Sequence, residues 1–316
     1  MNKKKLSTAI DRFEKWYLNQ GELSYDRMDY WSSNIGIWSK KIYYHNKILG
    51  IPFAGAGLLF ENFFPNVQKI FSHPHREVIG DAHYAMSYMN LYEISGNNFY
   101  LLKAENLLNV MKGYASSGYS GLCWGYSFNW QQSKNVLWSA GTPMITITPY
   151  AFWAYKKHYI LTSNSSSYDI CLSIADHALS DLNEIQMDNS TVSSSYSPHS
   201  QDIVINANSY RAAVLLEAYQ LSKDKKYKQA AENNINFILS FQGSKGEWFY
   251  EAKGPENNFI DHFHTCFVLK NMYKCYQVTE DNEILHAIQK GYKYYNDNLF
   301  YPSGRPKHFS VAKYIK

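Results

Sequence analysis

The feature that most constrains this chain is a turn that recurs at nearly fixed spacing. Three stretches align without gaps: YEISGNNFYLLKA from Tyr92, YQLSKDKKYKQAA from Tyr219 and YQVTEDNEILHAI from Tyr276. Each reads Tyr, an aliphatic residue two positions on, then Ser or Thr, then Asn or Asp two further, with a large apolar residue three later (Tyr100, Tyr227, Ile284). A fourth copy, YILTSNSSSY from Tyr159, fits with one residue inserted before Tyr168. Ser, Thr, Asn and Asp are poor inside helices but can satisfy the free N–H groups at a helix start. Each copy therefore predicts a helix–loop–helix. Successive starts lie 67, 60 and 57 residues apart, room for two helices of roughly 15–20 residues and their loops. Flanking segments such as AAVLLEAYQL (212–221) and AAENNINFIL (230–239) look helical, and strand-like alternation is rare. The expected architecture is a single all-α domain over residues 1–316, built of repeated helical hairpins as an open solenoid or a closed ring.

Three long connections interrupt the helical pattern, at residues 116–149, 190–206 and 241–259. They are rich in Gly, Ser and aromatics, with a strand-prone piece in the last. Long connections in a compact protein are functional or disordered, and the aromatic load argues against disorder.

Composition removes several classes of function. A formal net charge of +4, from 31 basic and 27 acidic residues, is too small and scattered for a nucleic-acid surface. Lys3–Lys5 is the one tight basic run and reads as a solvated N-terminus. Asp11, Arg12, Glu14 and Lys15 interrupt any apolar leader, and no 18-residue apolar run follows, so the expected location is cytoplasmic with no membrane span. Cys123, Cys171, Cys266 and Cys275 show no CxxC pairing and read as reduced. With no P-loop, GxGxxG or GxSxG, nucleotide cofactors and the hydrolase elbow have no support, and no DxDD-type run suggests terpene cyclisation. No cofactor is expected. The aromatic share is 17 %, with 28 Tyr and 8 Trp, which suits both helix cores and sugar rings.

Five blocks, CWGYSFNWQ (123–131), GTPMITITPYAF (141–152), INANSYRAA (205–213), GEWFYEAKGPENNFIDHFHTCFVLKNM (246–272) and LFYPSGRPKHF (299–309), fall in the order of a bacterial family. From Tyr92 onward the chain resembles this largely uncharacterised family of the six-hairpin glycosidase-like, or (α/α)6-toroid, superfamily, whose members are encoded among capsule, O-antigen and exopolysaccharide genes. The resemblance implies a ring of inner helices whose N-termini open onto one face carrying the site. It also implies an oligo- or polysaccharide substrate and contact with other polysaccharide-assembly proteins. Family members continue past PKHF into another helix pair, so the resemblance implies a ring lacking its last hairpin or closed by the N-terminal helices.

The candidate site residues follow from the blocks. In FIDHFHTCFVL, Asp261 and His264 are three apart and share a helix face. A carboxylate beside an imidazole orients it and raises its basicity for acid–base work; the same pair also reads as an N-terminal cap with a hydrogen-bonded core histidine. His262 points elsewhere. Trp124, Tyr126 and Trp130 could stack on sugars with Asn129 and Gln131 hydrogen bonding, or plug the core. Asn208 and Arg211 could clamp a carboxylate, while Asn206 also reads as a helix cap. Asp81 and His83 form a second acid–base candidate, and Trp248 and Glu247 occupy a turn near the same face. Cys123, His264 and Cys266 superficially resemble the zinc ligands of lanthipeptide cyclases, but the Cys-His-Gly run is missing and no metal is expected.

Hydrolysis of a glycosidic bond needs two carboxylates. These candidates are richer in His, Tyr, Asn and Arg, which tilts the expectation toward lyase or epimerase chemistry. In that assignment His264 is the base, Asp261 its orienter and Tyr126 an acid, with Arg211 and Asn208 as the clamp. The alternative is a non-catalytic glycan-binding or scaffold subunit resting on Trp124, Trp130 and Trp248.

Overall fold

The computed structural model describes residues 3–26, 29–64, 69–188, 191–256 and 258–312. Met1 and Asn2 of the N-terminal segment, and Ser190 and Asn257 of two long connections, lie outside the described residues. Two compact units result, residues 1–81 with 126–142, and residues 82–125 with 143–316.

The first unit holds α1 (Lys3–Gln20), α2 (Asp29–Ser32), α3 (Asn34–His45), α4 (Lys47–Phe63) and a hairpin of β1 (Trp130–Gln131) and β2 (Leu137–Trp138). Asn46 ends α3 and caps α4, its side chain accepting from the Leu49 N–H at 3.2 Å. The two helices pack on one another and on Tyr30 of α2, whose ring lies so close to Gly57 that a Cβ there would stand 2.2 Å from it.

The second unit is a run of four hairpins: α5–α6 (Val78–Ser95, Asn98–Gly113), α7–α8 (Thr148–Thr162, Ser165–Ser180), α9–α10 (Ile205–Ser222, Lys225–Ser240) and α11–α12 (His262–Thr279, Asn282–Asn298). The division between units falls at Asp81, inside α5. Antiparallel pairs occupy the connections, β3 (Glu184–Gln186) with β4 (Val192–Ser194), and β5 (Phe259–Asp261) with β6 (Phe309–Ala312). Every residue of α9 from Ile205 to Ala218 is buried, the mark of a helix enclosed on all sides. It packs against α7, α8, α10 and α11. The second helix of each pair buries one stripe: in α12, Ile284, Ala287, Gly291 and Tyr294. Each large apolar side chain so buried contributes about 1.5–3 kcal/mol.

The recurrent turn divides its work between two polar residues. Ser95, Thr162, Ser222 and Thr279 donate to carbonyls four residues back, closing the first helix, and accept the N–H of the capping residue two positions on. Asn97, Asn164, Asp224 and Asp281 then cap the second helix. So Asn and Asp do the capping, whereas Ser and Thr serve the helix before. The residue between them is left-handed in every copy: Gly96 (φ 66°), Ser163 (56°), Lys223 (61°) and Glu280 (53°). Its N–H bonds the carbonyl of the repeat tyrosine at 2.7–2.8 Å. The fourth copy needs no insertion, because α8 begins directly after Asn164. Buried Ser167 takes the place of the large apolar residue, its hydroxyl 2.8 Å from His158 Nδ1.

Only glycine enters the left-handed region without a Cβ penalty of about 1–2 kcal/mol, offset in part by its greater freedom when unfolded. Lys223→Gly and Glu280→Gly, both at exposed turns, should each raise stability by about 0.5–1 kcal/mol in urea unfolding. A loss of stability in both would contradict the turn geometry.

Candidate functional site

The β5–β6 pair delivers Asp261 to the start of α11. Asp261 pairs with Phe309, and the next N–H, of His262, donates to the His308 carbonyl at 3.0 Å. Asp261 is the N-cap: Oδ1 accepts the His264 N–H at 2.8 Å, and Oδ2 lies 2.7 Å from His264 Nδ1. The cap reading and the orienting reading are thus one arrangement. A carboxylate on Nδ1 fixes the proton there and leaves Nε2 as the basic nitrogen. Nε2 has no hydrogen-bond partner among the described residues, and the ring stays one-quarter exposed. His262 does point elsewhere, tying α11 to α12 through the Tyr295 hydroxyl at 2.7 Å.

His264 lines a small recess with Ile205, Asn206, Trp248, Phe249, Tyr250, Asp261, Thr265 and Val268. Asp261 is the one carboxylate among these. The Tyr250 ring lies 4.6 Å from His264; burial is the chief cause that pushes its phenol well above the usual tyrosine range, so it stays protonated. Asn206 stands in the first turn of α9 rather than at its cap, which is Val204. Its Oδ1 is buried without a partner, an acceptor waiting for a donor.

Ring contacts continue from His264 through Phe263 (5.3 Å), Phe267 (4.4 Å), Tyr210 (5.5 Å) and Tyr150 (6.0 Å) to His83 (5.2 Å). They lead to Lys270, whose Nζ sits among the faces of Tyr150, Trp153, Tyr210 and Phe267. Tyr150 and Tyr210 share a 2.8 Å hydrogen bond. Burial, and secondarily Lys274, push the Lys270 ammonium below the usual lysine range; burial, then Lys270, push His83 down as well. The basin thus combines residues from α5, α7, α9 and α11.

Several expected site residues serve the fold instead. Arg211 is fully buried and donates to the Ala178 and Leu179 carbonyls, Asn234 and Glu184, leaving it no place in a carboxylate clamp. Asn208 is equally enclosed, bonding Ser193, Ser194, Val204 and Asn234. Trp124 and Trp248 are core residues whose indole N–H groups bond the Met111 and Ile238 carbonyls at 2.9 Å; Trp124 offers no face to a sugar, and Trp248, 2% exposed, meets the recess only as part of its wall. Glu247 folds back onto the Lys245 N–H. Asp81 is held through both oxygens by Arg76, whereas His83, two residues on, joins the basin.

Tyr126, Asn129, Trp130 and Gln131 belong to the first unit. Tyr126 stacks on Phe128 at 4.9 Å, and Trp130 carries Lys40 at 3.3 Å over its ring. Asn129 accepts the Ala140 N–H, and buried Gln131 donates within its own hairpin. Both therefore shape the loop rather than a sugar contact. Among the described residues no three His, Cys, Asp or Glu side chains are grouped to hold a metal. Cys123 is buried, and burial chiefly pushes its thiol up to about 12.

No family model matches this sequence, and no curated protein does. Solved structures do match. A cellobiose 2-epimerase from Bacillus thermoamylovorans aligns over 92% of this chain and 84% of its own, at 12% identity and TM-score 0.58. A GH76 α-mannanase from Bacteroides thetaiotaomicron aligns over 92% and 80%, at 14% identity and TM-score 0.54. A polysaccharide lyase aligns over 94% and 84%, at 12% identity and TM-score 0.54. The fold is the all-α, (α/α)-toroid fold of these structures. Identities this low establish the all-α toroid architecture and nothing finer. No described helix is long and apolar enough to cross a membrane.

Glu184 is half exposed, so loss of the guanidinium strands buried neutral acceptors rather than a buried charge. Arg211→Met should therefore lower unfolding free energy by about 1–3 kcal/mol. A stable variant with weakened glycan binding would instead return Arg211 to the site.

Proposed function

We propose that the protein is a carbohydrate-active enzyme that moves a proton on a glycan, with His264 Nε2 as the base. Asp261 positions the ring and stabilises its charged form, and Tyr250 is the candidate acid. The observation that carries this reading is the 2.7 Å contact between Asp261 and His264 Nδ1, made at the mouth of an inner helix with Nε2 left unbonded. Hydrolysis is less well supported, because a glycosidase needs a second carboxylate across the bond and the recess lining offers one. Elimination or epimerisation needs a base, an acid and a way to hold the sugar, which His264, Tyr250 and Asn206 supply. Three toroid neighbours are named as an epimerase, a mannanase and a lyase, which supports a carbohydrate substrate. The resemblance of the five sequence blocks further supports a role in bacterial surface-polysaccharide assembly, in the cytoplasm beside other assembly proteins. The whole chain as one working domain is part of the same proposal.

The test is incubation with neutral and uronic-acid oligosaccharides in D2O, reading unsaturated products, new reducing ends and deuterium at sugar carbons. Unsaturation or deuterium incorporation is expected. His264→Ala should lower its rate about 10²–10⁴-fold with the melting temperature little changed, and Asp261→Asn should lower it less. Full turnover by the His264 variant, or new reducing ends alone, would overturn the assignment.

A further inference from the structure

Lys270 follows His264 on α11 by six residues, about 9 Å along the axis. Its ammonium is half-buried and lies 5.0–5.6 Å from the centroids of Tyr150, Trp153, Tyr210 and Phe267. Its hydrogen bond, to the Tyr150 hydroxyl, is long at 3.5 Å. Among the described residues no carboxylate stands within ion-pair distance of it. The lysines beside it are treated differently: Lys156 and Lys274 both pair with Glu217, at 2.9 and 3.3 Å. The fold therefore supplies an acid for these two lysines and none for Lys270.

A partly desolvated cation without a counter-ion is costly. Ring faces offset part of that cost, worth about 0.5–2 kcal/mol, but they accept none of the ammonium's remaining hydrogen bonds. A second donor in the same cluster also lacks an acceptor: the indole Nε1 of Trp153 is buried and unpartnered. On the His264 side of the cluster, Phe263 is 61% exposed and Cys266 is exposed.

We infer that Lys270 receives an anionic group of the bound glycan, so that the substrate is an acidic sugar chain. Lys156 and Lys274 share the single negative charge of Glu217, so the three lysines keep a positive excess that Glu217 does not cancel. Lys270 thus takes the part that the sequence suggested for Arg211. This inference rests on the proposed glycan chemistry but is separable from it, since binding can be read without turnover.

The experiment is calorimetric titration of the full chain with oligogalacturonate and oligoglucuronate, and with the same oligosaccharides after reduction of their carboxyl groups. The expected result is binding of the acidic forms at least tenfold tighter than the reduced ones. Lys270→Met and Lys270→Gln should erase that preference while leaving affinity for the reduced forms unchanged. Lys270→Arg should keep most of it. Melting curves of the variants establish that they fold. Equal affinity for acidic and reduced forms, no binding of any acidic probe, or a preference that survives both neutral variants would each overturn the inference. His264→Ala is titrated with the same uronates. Normal binding with unimpaired turnover in that variant would leave Lys270 in place and remove His264 as the base. His264-dependent turnover of neutral sugars alone would do the reverse.

Discussion

One carboxylate organises the site. Asp261 ends β5, caps α11 and holds the His264 imidazole, so backbone and chemistry share a group. Its carbonyl also accepts the Thr265 hydroxyl at 2.6 Å, and its strand pairs with β6 near the C-terminal end of the described chain. A cap of this kind is worth about 1 kcal/mol. The larger consequence is geometric, since the cap fixes where the helix begins and therefore which way His264 points. The ring, with Nδ1 engaged, can only present Nε2 to the recess.

The polar residues of the second unit divide into two populations by how completely they are satisfied. Around α9, Arg211, Asn208 and Asn234 bond one another, the end of α8 and the β3–β4 pair. Such a network is strong when complete and leaves nothing over for a ligand. Elsewhere on α7, α9 and α11 the pattern is opposite. His264 keeps a free nitrogen, Lys270 lacks an anion, and Asn206 and Trp153 carry buried atoms without partners. Unsatisfied groups in a well-packed structure need a reason, and a ligand meeting His264, Lys270 and Asn206 would give one.

Much of the fold was legible in the sequence because the turn repeats a local physical requirement. Ser or Thr can close a helix and Asn or Asp can open one wherever they stand, so the hairpins could be read without tertiary information. The left-handed residue could not, since Ser163, Lys223 and Glu280 are ordinary side chains forced there by both neighbours. The Asp261–His264 pair was legible because its spacing is local. Arg211 and Trp124 were misleading because burial, which decides whether a guanidinium or an indole meets solvent, depends on contacts far along the chain. Asp81 and His83 stand together in sequence, yet two residues on a helix point about 200° apart, so one meets Arg76 and the other Tyr150. Lys270 was missed because a lone lysine inside an apolar run reads as a solvated position, and only the fold brings four rings around it.

The most direct test of the central claim is the protonation pattern of His264, read by long-range ¹⁵N–¹H correlation in the folded protein near neutral pH. A proton on Nδ1 with a bare Nε2, reverting toward a mixture in Asp261→Asn, is the expected result. A proton resident on Nε2 would mean that Asp261 does not orient the ring, and His264 could not serve as the base.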